Sequence, residues 1–459
     1  MSKKERKPGI STTGEKIRFA MGDVGFNILW GFVGSYLTYY YTDSVLMSAS
    51  VIGTIMLLAR LLDGVSDILM GFIIERTSSR WGKARPWILW MIIPLIITFL
   101  MAFNVPSFLG ETAKIIYVAV VYILLSAVTY TACNMAYITL FTLFAPDSDD
   151  RNFAAVFRSL FAMLTALVLN IIAMPLLEGF GGASNQKAWT TLTLILAVVA
   201  FVCIMITFFG VTEKELSAAE KKSEKEKMPL AEVLKSLLKS KYFYLAALFS
   251  VAYYLGNGIS GAGVYYAKDI LGNVNLVGMF SLVAVPTMVL GSVLAPILYR
   301  RFGKKKTMMC GSFITLGCAI MQWINPYNTA QFLIASSIKG VGTMLFGTAI
   351  STLPGDVSDW SEWRVGARAE GVVTSVSSFG SKVGVGVGGA LVGWILAIGN
   401  YKGSAAVQAQ SALNAEIFLM IGIPLILAVI QIVLLLFWDM DKVRPGILKE
   451  LEVKRNQNK

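Results

Sequence analysis

Two aspartates stand inside a long apolar segment, ARLLDGVSDILMG. Asp63 and Asp67 are four residues apart, and Arg60 precedes Asp63 by three. On a helix this spacing places both carboxylates on one face, about 6 Å apart. Two carboxylates in a low-dielectric setting repel unless one is protonated or a cation lies between them. The pair is therefore suited to binding a hard cation or a proton, and the alternative is a charge cluster with Arg60 that holds helices together.

Other polar residues lie in apolar segments of the same half of the chain. The segment TYTACNMAY contains Tyr130, Thr131 and Asn134, and GDVGFNILWG contains Asp23 and Asn27. We predict that Thr131 offers the cation another neutral oxygen and that Asn134 hydrogen-bonds a hydroxyl-rich solute. Hydrogen bonding between helices is the alternative role for Thr and Asn at such depth.

Isolated basic residues lie in three further apolar segments. Charges at such depth are costly and require a partner or a water-filled cavity. We predict that Arg158 and Lys382 neutralise the acidic pair across a central cavity. Lys339 has no partner that the sequence identifies.

The segment GDVSDWSEWRVGAR mixes acidic and basic residues between two apolar segments. We predict that Asp356, Asp359 and Arg368 belong to a gate closed by salt bridges to basic loops of the other half. An ordinary wet loop is the alternative, because surface ion pairs contribute little stability.

The elements that must position these residues are membrane-spanning helices. Of 459 residues, 56% are hydrophobic and only 15% are charged, whereas soluble domains carry about 25% charged residues. A spanning helix needs roughly 20 mainly apolar residues, and twelve such segments, separated by polar breaks, follow one another. The sequence therefore predicts an all-α integral membrane protein with twelve transmembrane helices.

A charged segment near the middle of the chain divides these spans into two sets of six. We predict an N-terminal six-helix bundle over residues 1–211, a cytoplasmic linker over 212–242, a second six-helix bundle over 243–438 and a cytoplasmic tail over 439–459. The basic turns SRWGKARPW and YRRFGKKKTM follow the second span of each half, which indicates an internal repeat.

Lysine and arginine are concentrated in alternate polar segments, beginning with the N-terminal tail. This bias predicts that both termini are cytoplasmic in a multi-pass protein of the cell membrane. The net charge of +12 comes from these loops and does not predict a nucleic-acid partner. The chain has no histidine, which removes the commonest metal ligand.

Together these segments resemble the glycoside–pentoside–hexuronide:cation symporters of the major facilitator superfamily, the group that includes the melibiose carrier. The resemblance covers nearly the whole chain and is carried by YYYTD, ARLLDGVSDILMGFI, SRWGKARPWIL, TYTACN, VFRSLFA and GDVSDWSEWRVGARAEG. It implies the major facilitator fold of two six-helix bundles. It also implies a cation site at Asp63, Ser66, Asp67 and Thr131, and a sugar site at Asn27, Tyr130, Asn134, Arg158 and Lys382.

Three departures separate this chain from the melibiose carrier. Asn27 and Asn134 stand where that carrier has aspartates, and Gly347 stands where it has a tryptophan that lines the pocket. Ser66 replaces a ligand asparagine of the cation site. These differences predict a sugar or glycoside other than melibiose, with extra room at Gly347, and leave Na+, Li+ and H+ open as the coupling cation.

The expected function is cation-coupled symport of a sugar by alternating access, without a cofactor or enzymatic activity. The expected partners are the sugar or glycoside, the coupling cation and the lipid bilayer, with the monomer as the working unit. The alternatives are a carrier of a lysolipid or another non-sugar solute, a non-transporting sensor, and a membrane hydrolase. The hydrolase is disfavoured because Asp63 and Asp67 share one helix face and cannot easily flank a scissile bond.

Overall fold

The computed structural model describes residues 11–145, 148–213, 239–365, 370–405 and 407–457. In these ranges the regular secondary structure is entirely helical, with no strand. The prediction of an all-α protein is confirmed.

The described residues before position 214, together with the short segment Tyr401–Val407, form one compact unit. Helix α1 packs against α5 and α6, and α3 packs against α4 and α6. The six long helices of this first unit are α1 (Thr13–Tyr39), α2 (Ala49–Arg76), α3 (Arg85–Ala102), α4 (Glu111–Phe144), α5 (Ser148–Gly179) and α6 (Gln186–Gly210).

The described residues from position 239 onward, apart from Tyr401–Val407, form the second unit. Its main contacts join α7 to α12, α8 to α10, and α9 to both α10 and α13. The helices are α7 (Lys241–Gly258), α8 (Leu276–Phe302), α9 (Lys304–Ile324), α10 (Thr329–Ile350), α11 (Leu353–Val365), α12 (Glu370–Ile398), α13 (Gln410–Leu436) and α14 (Met440–Gln457). The predicted domain boundaries at 211 and 242 stay predictions, because most of the linker lies outside the described residues.

Glycines allow several of these helices to approach closely. A Cβ atom at Gly22 of α1 would lie 2.5 Å from the ring of Tyr137 on α4, and one at Gly25 would lie 2.8 Å from a backbone oxygen of α6. In the second unit, a Cβ at Gly384 of α12 would lie 2.7 Å from the carbonyl oxygen of Val251 on α7. At these positions only the absence of a side chain permits such close helix packing.

Nine helices of the described chain are long and apolar enough to cross a membrane. Four other helices have at least 18 residues: α1, α2, α7 and α14. Of these, α14 carries eight charged residues among its 18 and is too polar to span a membrane, whereas α1, α2 and α7 remain as further candidate spans. Both α1 and α2 carry acidic and basic residues along their length. Large apolar side chains such as Ile68 and Phe72 are more than half exposed on α2, as expected of side chains that face lipid. The nine apolar helices together with α1, α2 and α7 agree with the predicted number of twelve spans.

Candidate functional site

An ion pair inside the first unit joins α1 to α5. The Nε atom of Arg158 donates to Asp23 at 2.6 Å, and its Nη2 atom donates to the other carboxylate oxygen at 3.3 Å. The hydroxyl of Tyr137 on α4 also donates to Asp23, at 2.9 Å. The guanidinium lies over the rings of Tyr137 and Phe141, 5.4 and 5.0 Å from their centroids. Charge-assisted hydrogen bonds of this kind hold the arginine in one orientation.

An aromatic stack joins α1 and α4 about two helical turns further along. The rings of Trp30 and Tyr130 are stacked with centroids 4.3 Å apart. The guanidinium of Arg60 on α2 lies over the Trp30 ring, 4.3 Å from its centroid. The same guanidinium donates to Asp63 at 3.2 Å. The aromatic pair therefore lies beside the acidic segment of α2.

These two contacts fix the positions of Asn27 and Asn134. On α1, Asp23, Asn27 and Trp30 follow the i, i+4, i+7 spacing of one helix face, and Tyr130, Asn134 and Tyr137 do the same on α4. Because Asp23 meets Tyr137 and Trp30 meets Tyr130, the two asparagines share the turn between these contacts. The Asn27 amide nitrogen donates to the Asp23 carbonyl oxygen at 2.8 Å. Its side-chain oxygen is left to accept a hydrogen bond.

The residues of the predicted cation site lie on α2 and α4, which pack against one another. Asp63 is 3% exposed, whereas Ser66 and Asp67 are partly buried and Thr131 is 5% exposed. The Ser66 hydroxyl donates to the Asp63 carbonyl oxygen and the Thr131 hydroxyl to the Ser126 carbonyl oxygen, each at 3.1 Å. Because each hydroxyl hydrogen points to a carbonyl oxygen, the lone pairs of the Ser66 and Thr131 hydroxyl oxygens remain available to coordinate a hard cation. Within the described ranges, no group of three or more acidic or cysteine residues is arranged to hold a metal ion.

The predicted role of Arg158 as a partner of the acidic pair is wrong. Its carboxylate partner in the structure is Asp23, and Asp63 pairs instead with its helix neighbour Arg60. The reason is the position of α5, which packs on α1 rather than on α2. Lys382, the other predicted neutralising base, lies partly buried on α12 in the second unit.

The extra room predicted at Gly347 is occupied. A Cβ atom built on Gly347 of α10 would lie 2.5 Å from Cζ and from the hydroxyl oxygen of Tyr253 on α7. The Tyr253 ring therefore fills the space that a larger side chain at Gly347 would take. The expectation of a larger pocket on this side is wrong for this reason.

Asp356 and Asp359, two residues of the predicted gate, lie on helix α11. Asp356 is 2% exposed and accepts from Lys304 at 2.5 Å and from Arg444 at 2.8 Å, while Asp359 accepts from Arg444 at 2.9 Å. Lys304 begins α9 and Arg444 lies on α14, so these described partners belong to the same half, not to loops of the other half as predicted. Buried pairs on a helix also exclude the wet loop. Arg368 lies outside the described residues, and the gating role stays a prediction.

Sequence reasoning missed two residues of this region, Trp30 and Tyr137, and it did not predict the partners of Asp23. The signal for Asp23 was present, because it is an acidic residue inside an apolar helix, which requires a partner. Trp30 could not be recognised from the sequence, because tryptophan is common in membrane proteins and one more in an apolar segment indicates no specific role. Its stacking on Tyr130 and its contact with the Arg60 guanidinium distinguish it from a lipid-facing ring.

Buried charged and hydrogen-bonding groups between the long helices of the first unit are typical of membrane transport proteins. The chain matches the model of the family described as MFS/sugar transport protein over residues 18–442. This match spans most of the sequence, and the chain belongs to that family. It is a multi-pass membrane protein of the major facilitator superfamily.

Individual relatives agree with this assignment. The chain is 31% identical over 448 residues to the isoprimeverose transporter of Lactiplantibacillus pentosus, covering 96% of this chain and 92% of that protein. It is 30% identical over 449 residues to an Escherichia coli (strain K12) protein provisionally named a glycoside/cation symporter, covering 96% and 95%. The crystal structure of a D-xylose-proton symporter superposes with a TM-score of 0.64 at 13% identity, covering 91% of this chain and 96% of that chain. At this identity the superposition supports the fold alone.

Proposed function

We propose that this protein is a secondary active transporter that carries a sugar or glycoside together with a cation. One observation carries the proposal: the α1–α4 face that places Asn27 and Asn134 between the Asp23–Arg158 pair and the Trp30–Tyr130 stack. Amide and guanidinium groups hydrogen-bond neighbouring hydroxyls, and aromatic faces pack against the apolar face of a sugar ring. Few polar groups in an apolar wall are typical of small-molecule sites.

A neutral glycoside is favoured over an acidic one at this face of the first unit. The positive charge of Arg158 is already compensated by Asp23 at 2.6 Å, and Asn27 and Asn134 are uncharged. The relative at 31% identity carries the name isoprimeverose transporter, which makes that glycoside the first ligand to test. Tyr130 contributes its ring, and Lys382 remains a proposed contact from α12.

The coupling cation is proposed to bind Asp63 and Asp67 with Ser66 and Thr131. A cation or a proton here neutralises the acidic pair, and neutralisation lowers the cost of moving the loaded site through an apolar surrounding. Transport by alternating access then requires both sugar and cation, which is how their fluxes become coupled. The bias of basic residues between spans supports a cell-membrane protein with both termini in the cytoplasm. We propose that the monomer is the working unit.

Reconstituted vesicles test the proposal directly. Purified protein in liposomes is given an inward gradient of Na+, Li+ or H+, and accumulation of isoprimeverose, D-xylose and melibiose is measured. We expect one cation to drive uptake of a glycoside above its external concentration, and Asp67→Asn to abolish that accumulation. Flux that ignores all three gradients would contradict symport, and the absence of glycoside binding in a parallel assay would contradict the sugar.

A further inference from the structure

A second polar site lies inside the second unit, away from the residues discussed so far. A cavity of about 130 Å³ opens between α7, α9, α10 and α13. Its polar lining includes Asn257, Thr315, Lys339, Thr343 and Gln431. A cavity of about 150 Å³ holds one benzene molecule, and one water occupies about 30 Å³ in the liquid. The space therefore suits a small ion with a few waters and is too small for a disaccharide.

The only charged residue in this lining is Lys339, near the middle of α10. Among the described residues, no carboxylate lies within ion-pair distance of its ammonium, and the ammonium donates no hydrogen bond to any of them. Asp356 and Asp359 of the same unit are paired with Lys304 and Arg444. An ammonium at this depth requires a counter-charge or water, and the cavity is the space where either can lie.

Hydrogen-bond directions around the cavity favour a negatively charged occupant. The side-chain oxygen of Gln431 accepts from the Ser312 hydroxyl at 3.3 Å, so its amide nitrogen remains as a donor. Asn257 brings a second amide, and the Lys339 ammonium brings up to three further donors. The Thr343 hydroxyl donates to the Lys339 carbonyl oxygen at 2.9 Å, which leaves its oxygen to orient a water. No acidic side chain lines the space.

We propose that this cavity binds a small monovalent inorganic anion such as chloride, with Lys339 as its counter-charge. One positive charge with two amide donors matches one such anion, and the volume leaves room for its remaining waters. One bound anion would link α7, α10 and α13 through Asn257, Lys339 and Gln431. It would act on the second unit independently of the sugar and cation sites proposed above.

Thermal unfolding of the full-length protein in detergent tests this site. Chloride is titrated at constant ionic strength against the large sulfonate anion MES, with potassium as the cation so that Na+ and Li+ are absent. We expect a saturable rise in Tm of about 2–4 °C, because a ligand that binds only the folded state stabilises it. Lys339→Met should abolish the rise, whereas Lys306→Met, at an exposed lysine of α9, should retain it. Equilibrium dialysis with radioactive chloride should give one bound ion per wild-type chain and none in Lys339→Met.

The same titration with D-glucuronate and D-glucose separates an inorganic anion from a sugar carboxylate. Stabilisation by glucuronate alone, with no response to chloride, would overturn the assignment to an inorganic anion. An equal chloride response in wild type and Lys339→Met would overturn the site itself. If Lys339→Met does not fold, Gln431→Leu removes an amide donor and should weaken chloride binding several-fold. An unchanged affinity there would also refute the site.

Discussion

Arg158 on α5 and Asp23 on α1 form a two-point contact, with Nε 2.6 Å from one carboxylate oxygen and Nη2 3.3 Å from the other. Their side chains are 28% and 10% exposed, so the pair is largely removed from solvent. This geometry fixes the guanidinium plane against α1 one turn from Asn27. The arginine is thereby oriented before any ligand arrives.

Asp23→Asn should weaken both the fold and the proposed sugar site. The variant leaves a largely buried guanidinium without its counter-charge, and removing one partner of a buried pair costs about 3–5 kcal/mol. Because Arg158 remains partly exposed, we expect the loss in the free energy of unfolding for this pair to be at most about half of that range, roughly 2 kcal/mol. Glycoside affinity should fall at least about tenfold, since each 1.4 kcal/mol corresponds to a factor of ten.

A double-mutant cycle isolates this pair from the rest of the site. Tm and glycoside Kd are measured for Asp23→Asn, Arg158→Gln and the double variant. We expect the double variant to unfold at a higher temperature than either single variant, because no uncompensated charge remains. Additive losses of Tm across the cycle would contradict coupling between the two residues.

Asp63→Asn and Asp67→Asn should differ in stability while sharing a transport defect. Both should abolish gradient-driven accumulation, because each removes a carboxylate of the proposed cation site. Asp63→Asn alone also removes the partner of Arg60, which lies over Trp30, and should therefore lower glycoside affinity several-fold. Uptake in vesicles and Kd in detergent are measured side by side.

Asp63→Glu serves as the conservative control in that comparison. It keeps the charge on α2, so partial retention of Arg60 pairing and of coupling is expected. Undiminished sodium- and proton-driven accumulation in both asparagine variants would rule out these carboxylates as the coupling site.

The sequence predicted the helical class and the depth of the charges because hydropathy reports directly on the lipid environment. Spacing on one helix also placed Asp63 and Asp67 on a common face. The partner of Arg158 could not be predicted, because it depends on the register of α5 against α1, which neither helix specifies alone. For the same reason the ring of Tyr253 could not be anticipated in the space beside Gly347.

For the ion pairs of α11, too, the sequence predicted that partners exist but not which residues they are. An acidic and basic composition predicted salt bridges for Asp356 and Asp359, and salt bridges occur. Their partners, Lys304 and Arg444, come from segments far apart in sequence that the second unit folds together. Composition thus identified which residues needed partners, and only packing identified the partners.

Trp30→Ala should reduce glycoside affinity without affecting coupling. The indole stacks on Tyr130 with ring centroids 4.3 Å apart, and Cζ of Arg60 lies 4.3 Å from the Trp30 ring centroid. Losing a stacking surface of this kind costs about 0.5–1.5 kcal/mol beyond buried area, which corresponds to a rise in Kd of roughly two- to twelvefold. Trp30→Phe should retain most of the affinity.

Trp323→Phe, at a half-exposed tryptophan of α9, controls for general effects of tryptophan replacement. Isothermal titration of the glycoside into each variant provides the Kd values. Equal affinities for wild type and Trp30→Ala would show that the stack does not contact the sugar.

The contact between Gly347 and Tyr253 predicts a compensating pair of substitutions. Gly347→Ala places a methyl group 2.5 Å from the Tyr253 ring, and overpacking of this kind costs about 1–3 kcal/mol. Its Tm should therefore fall below that of the wild type. Adding Tyr253→Leu opens the space beside position 347 and should recover part of the lost Tm, whereas Tyr253→Leu alone should only lower it. A double variant that is no more stable than Gly347→Ala would show that the ring is free to move aside.

Glu213 predicts a purely structural loss that should be separable from transport. Its carboxylate accepts from the backbone nitrogens of Lys83, Ala84 and Arg85 at 2.8, 2.8 and 3.0 Å, at the start of α3. A carboxylate at a helix N-terminus satisfies amides that lack partners and interacts favourably with the helix dipole. Glu213→Gln keeps the shape but loses the charge, and Glu213→Ala loses both, so we expect losses of about 1 and about 2 kcal/mol in the free energy of unfolding.

Glycoside Kd should remain unchanged in both variants, because none of these atoms belongs to the proposed site. A Kd that shifts in step with Tm would instead show that the turn before α3 is coupled to sugar binding.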